Sequence, residues 1–246
     1  MDDLVQTIRN NYERVISEIE RSREQSRTAA KNVRLVVVTK GQSVETLRAA
    51  YAAGIRIFGE NYPDETEKKL EQMVGLDDIE WHMIGHLQSR KAKIIARSFS
   101  LMHSVDSLEI AVKINQQLTL VNRKMPILIE VNVGGEESKY GFQAQERTEW
   151  KNLVEEFKRI GDLDCLVVNG LMTMPPLYDD PEMARPHFIM MRQLSQFLAE
   201  YLPAMQWNEL SMGTSSDFQE AVQEGATFVR IGTAILGPRP PRKGDG

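Results

Sequence analysis

The sequence predicts an α/β protein whose fold class is a (β/α)8 TIM-like barrel with an extra helix at its N-terminus. Three observations lead to this prediction: eight short apolar segments rich in β-branched residues, a helical pattern in each of the seven intervals, and a length of 246 residues. Strands that alternate with helices are typical of βαβ units around a parallel sheet. A barrel of eight such units takes roughly 250 residues, so length and pattern agree.

The predicted elements follow one another along the chain. Residues 1–32 contain the N-terminal helix, because Leu4, Ile8, Val15 and Ile19 recur at helical spacing. The barrel is expected over residues 33–237, with strands at 33–39, 55–59, 79–85, 101–105, 126–133, 166–174, 207–212 and 227–232. The helices between them are expected near 43–53, 63–74, 88–97, 107–118, 146–159, 182–201 and 216–224.

The whole chain, residues 1–246, is expected to form a single barrel domain. Residues 238–246 contain Pro, Gly and charged residues and are expected to be a flexible tail. A doubly wound open sheet is the alternative architecture. It is disfavoured because no Gly-x-Gly-x-x-Gly motif follows the first predicted strand.

Composition excludes several classes of function. The formal net charge of −5 provides no basic surface for nucleic acid. A single cysteine, Cys165, cannot form an intramolecular disulfide and suits a reducing compartment. No apolar run approaches the roughly 20 residues that span a bilayer, and the first residues lack the apolar core of a signal peptide. A cytoplasmic protein without membrane or nucleic-acid partners is therefore expected.

Lys40 ends the first predicted strand, in the segment VRLVVVTK. The active sites of (β/α)8 barrels lie at the carboxyl ends of the strands. An amine shielded by apolar walls loses its proton easily and becomes a nucleophile toward carbonyl groups. The alternative is a structural ion pair with a nearby carboxylate, such as Glu60.

Two loops after the seventh and eighth strands favour an anion site. In SMGTSSD, Thr214 and Asp217 have the spacing of a capping box, and Gly213 permits close approach of the backbone. Gly232 and Thr233 follow the eighth strand. These two loops often bind phosphate in such barrels, although two ordinary capped turns would have the same pattern.

A nucleophilic lysine beside a phosphate site suggests pyridoxal 5′-phosphate (PLP), with the aldehyde held as a Schiff base on Lys40. Arg230, on the eighth strand, would then face the pyridine nitrogen and keep it unprotonated. An ion pair inside the lower barrel is the alternative for Arg230.

Seven motifs together resemble one family. The chain over about residues 1–238 resembles the PLP homeostasis proteins, single-domain relatives of the alanine racemase barrel (PLP fold type III), in the motifs VVVTK (36–40), FGENY (58–62), WHMIGHLQ (81–88), KYGF (139–142), GLMTMPP (170–176), SMGTSSD (211–217) and VRIGTAILG (229–237). The resemblance implies that Lys40 is the Schiff-base lysine, that Arg230 faces the pyridine nitrogen and that Asn61 lies beside the cofactor. It implies phosphate contacts from Ser211, Gly213, Thr214, Gly232 and Thr233.

The chain departs from the family pattern at Pro63, Asp64, Arg90 and Thr214. What the resemblance implies therefore does not extend to the rim around residues 63 and 90. Lys40 and Arg230 match the family pattern. Lys139 is either a solvated loop cation or a residue that steers an anionic ligand or passes PLP on.

Two histidines lie four residues apart in HMIGH. His82 is expected inside a strand, to pack or to donate a hydrogen bond near the cofactor. No glutamate completes a zinc motif with His86, so no metal site is predicted.

Three functions remain open at this point. The first is a PLP carrier that acts in PLP and amino-acid homeostasis without robust turnover, with PLP-accepting apoenzymes as further partners. The second is a PLP-dependent amino-acid racemase, for which Tyr62 is the nearest second base. The third is a phosphosugar enzyme that uses the same loops without PLP. The resemblance implies a monomer, because the domain through which alanine racemase dimerises is not expected here.

Overall fold

The structure, a computed structural model, describes residues 2–26, 28, 32–136 and 139–239. The strands are β1 (Arg34–Val38), β2 (Ile57–Glu60), β3 (Glu80–Met83), β4 (Leu101–Val105), β5 (Met125–Asn132), β6 (Phe142–Gln143), β7 (Leu166–Met172), β8 (Glu209–Ser211) and β9 (Phe228–Ile231). The α-helices are α1 (Asp2–Glu24), α2 (Val44–Ala52), α3 (Pro63–Gln72), α4 (Ala92–Ser98), α5 (Leu108–Leu120), α6 (Trp150–Gly161), α7 (Arg185–Tyr201), α8 (Phe218–Gln223) and α9 (Thr233–Leu236). Residues 240–246 of the predicted tail, and residues 1, 27 and 29–31 of the predicted N-terminal segment, lie outside the described residues.

Eight parallel strands close into a barrel. The order β1–β2–β3–β4–β5–β7–β8–β9 returns to β1, because β9 pairs with β1 and β4 pairs with β5. The predicted (β/α)8 fold class and the N-terminal helix are confirmed. Strand β6 is an addition that the sequence did not predict: two residues pair with the outer end of β5.

Alternation along the strands divides the core into two layers. One layer lies inside the barrel and consists of Val36, Val38, Ile84, Leu101, Leu128, Met172 and Phe228. The other lies between the barrel and the helices and includes Leu35, Val37, Phe58 and Trp81. Successive side chains of a strand point to opposite faces, so Val36 and Val38 face inward while Leu35 and Val37 face the helices.

Strand β1 positions Lys40, which lies just beyond its last residue. Val36 lies beside Arg230 of β9, and Val37 lies beside Phe58 of β2. One face of β1 packs inside the barrel and the other packs against the helices, so its valines are buried on both faces. The chain leaves this strand at Thr39 and Lys40.

Helix α1 packs on the outside of the barrel. Its apolar residues Ile8, Val15 and Ile19 are buried, and the helix contacts α2, α8 and α9. Asn11 and Arg14 donate to the carbonyls of Ile235 and Ala234. Helix α1 is thereby attached to the turn that follows β9. Among the described residues, no helix combines the length and the apolar character needed to cross a bilayer.

Candidate functional site

A cavity of about 140 Å³ opens at the carboxyl ends of β1, β8 and β9 and is here called the rim cavity. It is lined by Val38, Lys40, Asn61, Ile84, Met174, Thr214, Ser215, Arg230, Gly232, Thr233 and Arg239. The structure thus brings together six of the nine predicted cofactor residues. The other three, His82, Ser211 and Gly213, do not line this cavity.

The parity of β1 and β2 decides which side chains reach the rim cavity. Val38 faces inward, so Thr39 faces the helices and Lys40 faces inward again. On β2, Phe58 and Glu60 face the helices and Asn61 lines the cavity. Glu60 is fully buried on the helix side, where its Oε1 lies 2.6 Å from Lys69 Nζ.

Glu60 therefore does not form the ion pair with Lys40 that the sequence suggested. Glu60 pairs with Lys69, and it also accepts a hydrogen bond of 2.6 Å from the Thr39 hydroxyl. Burial raises the pKa of Glu60, and Lys69 opposes this shift. The physical reason is the two-residue period of a strand, which places adjacent residues on opposite faces.

The pair Thr214 and Asp217 forms only part of a capping box, because α8 begins at Phe218 with Asp217 as its N-cap residue. The carboxylate of Asp217 accepts hydrogen bonds from the Thr214 backbone N–H at 2.6 Å and from its hydroxyl at 3.0 Å. Gly213 has φ of +91°, and a Cβ there would lie 2.9 Å from Phe218 Cα. Gly213 packs against α8 and does not line the cavity, whereas Thr214 and Ser215 do.

The turn after β9 approaches β1 closely. A Cβ on Gly232 would lie 3.1 Å from the Val38 carbonyl oxygen and 3.3 Å from Val38 Cβ. Gly232 precedes α9, and its carbonyl accepts from Ile235 and Leu236. A residue without a side chain at this point allows the turn after β9 to lie close to Val38.

Arg230 is buried, with 3% of its surface exposed, at the inner end of the rim cavity. Its Nη1 donates to Ser211 Oγ at 2.5 Å and its Nη2 donates to the Thr173 carbonyl at 2.8 Å. Burial lowers the pKa of Arg230 to about 10, and Glu130 and Asp217 oppose the shift. Among the described residues, no carboxylate lies within ion-pair distance of Arg230; Glu130 and Asp217 act on it from farther away.

Ser211 and His82 belong to a hydrogen-bonded row inside the barrel. Ser211 Oγ lies 2.8 Å from His103 Nδ1, and His103 Nε2 lies 3.0 Å from His82 Nδ1. His82 Nε2 lies 3.5 Å from Glu80 at the opposite end of the barrel. There His82 lines a small cavity of about 90 Å³ with Glu80 and Arg34. The structure therefore places His82 away from the rim cavity.

A larger cavity of about 530 Å³, here called the adjoining cavity, shares Asn61, Ile84 and Met174 with the rim cavity. Its other lining residues are Tyr62, Pro63, Asp64, Gly85, His86, Gln88, Lys91, Glu130, Val131, Asn132, Lys139 and Tyr140. The Oδ1 atom of Asn61 is buried and has no hydrogen-bond partner among the described residues. An amide oxygen of this kind is available to a ligand that occupies either cavity.

Several side chains of the adjoining cavity had no assigned role. Burial raises the pKa of Glu130 to about 7, Asp106 adds to the shift, and Arg230 and Lys139 oppose it. His86 stacks on Tyr140 with ring centroids 3.8 Å apart, and its Nδ1 lies 2.6 Å from Asp106.

The sequence analysis assigned no role to these residues. Glu130 is the one charged residue of the mainly apolar strand β5, and this is the signal that could have identified it.

The residues that depart from the family pattern lie at the same rim. Pro63 and Asp64 line the adjoining cavity, and Asp64 pairs with Lys91 at 2.5 Å. Arg90 donates to the Gln88 side chain. His82 lies inside the barrel and His86 at the rim, so the two histidines do not share a site. Within the described part of the chain, no three His, Cys, Asp or Glu side chains are grouped as a metal site would require.

Residues 10–240 match the sequence model of the alanine racemase N-terminal domain. The chain is 39% identical over 227 residues to the pyridoxal phosphate homeostasis protein of Aquifex aeolicus, a match that covers 92% of this chain and 96% of the relative. The chain belongs to the pyridoxal phosphate homeostasis protein family. This membership confirms the resemblance that the seven motifs indicated.

Solved structures extend the comparison. PipY of Synechococcus elongatus, in a structure with PLP bound, has a TM-score of 0.81 and 30% identity, covering 94% of this chain and 100% of that chain. The alanine racemase of Clostridium difficile has a TM-score of 0.68 at 16% identity and covers 97% of this chain and 58% of that chain. The second likeness shows the barrel fold that members of the pyridoxal phosphate homeostasis family share with racemases.

Proposed function

We propose that this chain binds PLP in the rim cavity as a Schiff base on Lys40 and acts in PLP and amino-acid homeostasis without robust turnover. The observation that carries the proposal is that Lys40, Arg230 and the loops after β8 and β9 converge on one cavity. Similarity to the pyridoxal phosphate homeostasis protein of Aquifex aeolicus and to the PLP-bound structure of PipY supports it.

The residues of the rim cavity fit the chemistry of PLP, which supplies an aldehyde and an electron-withdrawing ring when it is bound. Lys40 would hold the bound group through its amine, which would act as the nucleophile toward the aldehyde. Lys40 faces inward beside Val38 and Ile84.

The opposite wall of the rim cavity suits a phosphate group. Thr233 and Ser215 carry hydroxyl groups, and Gly232 lines the cavity between Val38 and Thr233. Arg239 lines the same wall and adds a positive charge. The sequence had assigned Arg239 to the flexible tail, so it is a new candidate for phosphate contact.

Arg230 supports holding the cofactor rather than strong catalysis. Because its pKa of about 10 lies above neutral pH, Arg230 keeps its positive charge at the inner end of the cavity. A cation beside the pyridine nitrogen disfavours protonation of that nitrogen. An unprotonated ring withdraws electrons less strongly, which weakens carbanion stabilisation.

The experiment that tests the proposal is the absorbance spectrum of wild type and Lys40→Ala after mixing with PLP and desalting. The wild type is expected to stay yellow and to be fixed by borohydride on the peptide that contains Lys40. The Lys40→Ala variant is expected to lose the yellow band. If both proteins behave alike, or neither retains PLP, the proposal fails and the phosphosugar function replaces it.

A second candidate function is amino-acid racemisation, and the adjoining cavity favours it. This cavity is large enough for a small substrate beside the rim cavity and contains Tyr62 and Glu130, which have acid–base side chains. The measurement is formation of D-alanine from L-alanine. Turnover at ordinary enzyme rates, about 1 s⁻¹ or faster, would contradict the carrier proposal.

The proposal extends to partners and assembly. We propose that the chain is a monomer and passes PLP to apoenzymes that accept it. Mixing the PLP-loaded protein with a PLP-dependent apoenzyme is expected to restore the apoenzyme's activity faster than spontaneous release allows. Size-exclusion chromatography with light scattering is expected to give the mass of one chain.

A further inference from the structure

Helix α3 holds the peptide groups on both sides of Lys40. Lys69 Nζ donates to the Thr39 carbonyl oxygen at 2.9 Å, and the Gly41 backbone N–H donates to Glu65 Oε1 at 2.9 Å. Lys69 and Glu65 are one helical turn apart and lie 2.6 Å from each other. One turn of a helix thus binds the chain immediately before and immediately after Lys40.

These contacts belong to a network of the buried residues Thr39, Glu60 and Lys69 and the partly exposed Glu65, here called the Lys69 network. Lys69 has 4% of its surface exposed and also pairs with Glu60 at 2.6 Å. The Thr39 hydroxyl donates to the same oxygen of Glu60. A buried ammonium is tolerated only where charged and polar partners surround it. The Lys69 network supplies three oxygen partners to the ammonium.

The network lies on the side of the β1 end that faces away from the rim cavity. Thr39 and Glu60 face the helices, whereas Lys40 faces inward. Lys40 itself lies beyond the last residue of β1, and Gly41 has φ of +71°, where the chain turns. Residues beyond a strand end are mobile unless other groups fix them.

We propose that Lys69 and Glu65 are positioning residues for Lys40. By fixing the peptide groups of Thr39 and Gly41, they set the direction in which the Lys40 side chain enters the rim cavity. Reactive groups must be held within about 0.5 Å of their productive position by such supporting contacts. The inference rests on the proposed attachment of PLP to Lys40 and names the residues that prepare it.

Helix α3 offers matched controls for a test. Lys69→Met is compared with Lys68→Met, and Glu65→Ala with Glu67→Ala, because Lys68 and Glu67 are exposed neighbours on the same helix. The measured quantities are the rate at which the yellow band forms with PLP, the pH titration of that band and the melting temperature. Lys69→Met and Glu65→Ala, the two network variants, are each expected to form the band roughly tenfold more slowly than their controls.

A purely structural role would change the melting temperature and leave the rate and titration of the folded protein unchanged. Glu65→Ala covers the case in which Lys69→Met fails to fold, because Glu65 is one-third exposed and its removal leaves Lys69 paired with Glu60. Glu65→Gln keeps an oxygen for the Gly41 N–H and is expected to recover most of the rate.

Rates within twofold of the controls in both folded network variants would overturn the inference. Lys40→Ala separates this failure from failure of the proposed function. If Lys40→Ala loses the band while the network variants match their controls, only the positioning inference is wrong.

Discussion

His103 Nε2 lies 3.0 Å from His82 Nδ1 inside the barrel, and the direction of this hydrogen bond follows from the residues at its ends. Glu80 only accepts, so His82 Nε2 carries a proton toward it and His82 Nδ1 accepts from His103. His103 Nδ1 then accepts from the Ser211 hydroxyl, whose oxygen receives Arg230. Each imidazole is neutral and the row points from Arg230 to Glu80.

The first prediction concerns acid stability. Burial lowers the pKa of His82 and lowers that of His103 well below its usual value, with Arg230 adding to the shift at His103. Above about pH 6.5 both folded and unfolded chains carry neutral histidine; below it the unfolded chain takes up protons first, so stability falls. The contribution of His103 is therefore present above pH 6.5 and lost as the pH falls.

Urea unfolding of wild type and His103→Gln between pH 5 and pH 7 checks this. The difference in unfolding free energy between the two proteins is expected to shrink below pH 6.5 by about 1.4 kcal/mol per pH unit. A difference that stays constant over this range would show that His103 titrates normally in the folded protein.

The second prediction concerns the buried pair of Glu60 and Lys69. Lys69→Met is expected to lower the unfolding free energy by about 3 kcal/mol, because it leaves a buried carboxyl without its counter-ion. The exposed control Lys68→Met is expected to change it by less than about 0.5 kcal/mol. Glu60→Gln combined with Lys69→Met is expected to recover part of the loss. Equal unfolding free energies for Lys69→Met and Lys68→Met would contradict the burial of this pair.

Local sequence was sufficient for the elements but not for these pairings. The eight barrel strands were predicted because apolar, β-branched runs are a local property of the chain. Strand β6 was missed because two residues, Phe142 and Gln143, are too few to show a pattern. Lys69 looked like a surface lysine, since a helix alone does not show which partners a distant strand end will bring.

The same contrast between local patterns and contacts of distant residues applies to the site. Lys40 and Arg230 were found because they end or lie on recognisable strands beside glycine-containing loops. The row from Ser211 to His82 depends on the register of strands across a closed barrel, where residues 108 positions apart become neighbours. Ser211 was expected at the phosphate, yet its hydroxyl is held between Arg230 and His103. No local motif encodes that choice.

The third prediction concerns Glu130 and the pH dependence of PLP binding. Its pKa of about 7 means that the carboxyl is largely neutral below pH 7 and negatively charged above it. A negative charge near the rim cavity repels an anionic phosphate, so PLP affinity in wild type is expected to fall as the pH rises through 7. Glu130→Gln removes this titration.

The measurement is the PLP dissociation constant at pH 6, 7 and 8 for both proteins. The two proteins differ only at residue 130, so the ratio of the two constants at each pH reports the effect of Glu130. The ratio of wild type to variant is expected to rise with pH. A ratio independent of pH would mean that Glu130 does not change charge in this range.

The fourth prediction concerns Arg239, which lines the rim cavity and lies against Gly41. Its positive charge attracts the phosphate of PLP, but the side chain is exposed, so solvent and salt screen the attraction. Arg239→Ala is expected to raise the PLP dissociation constant about threefold to fivefold at low salt, and the effect is expected to fade at high salt. Arg97→Ala, an exposed arginine of α4 outside both cavities, is the control. A loss of affinity that persists at high salt would indicate a direct, shielded contact, and no loss at all would remove Arg239 from the phosphate wall.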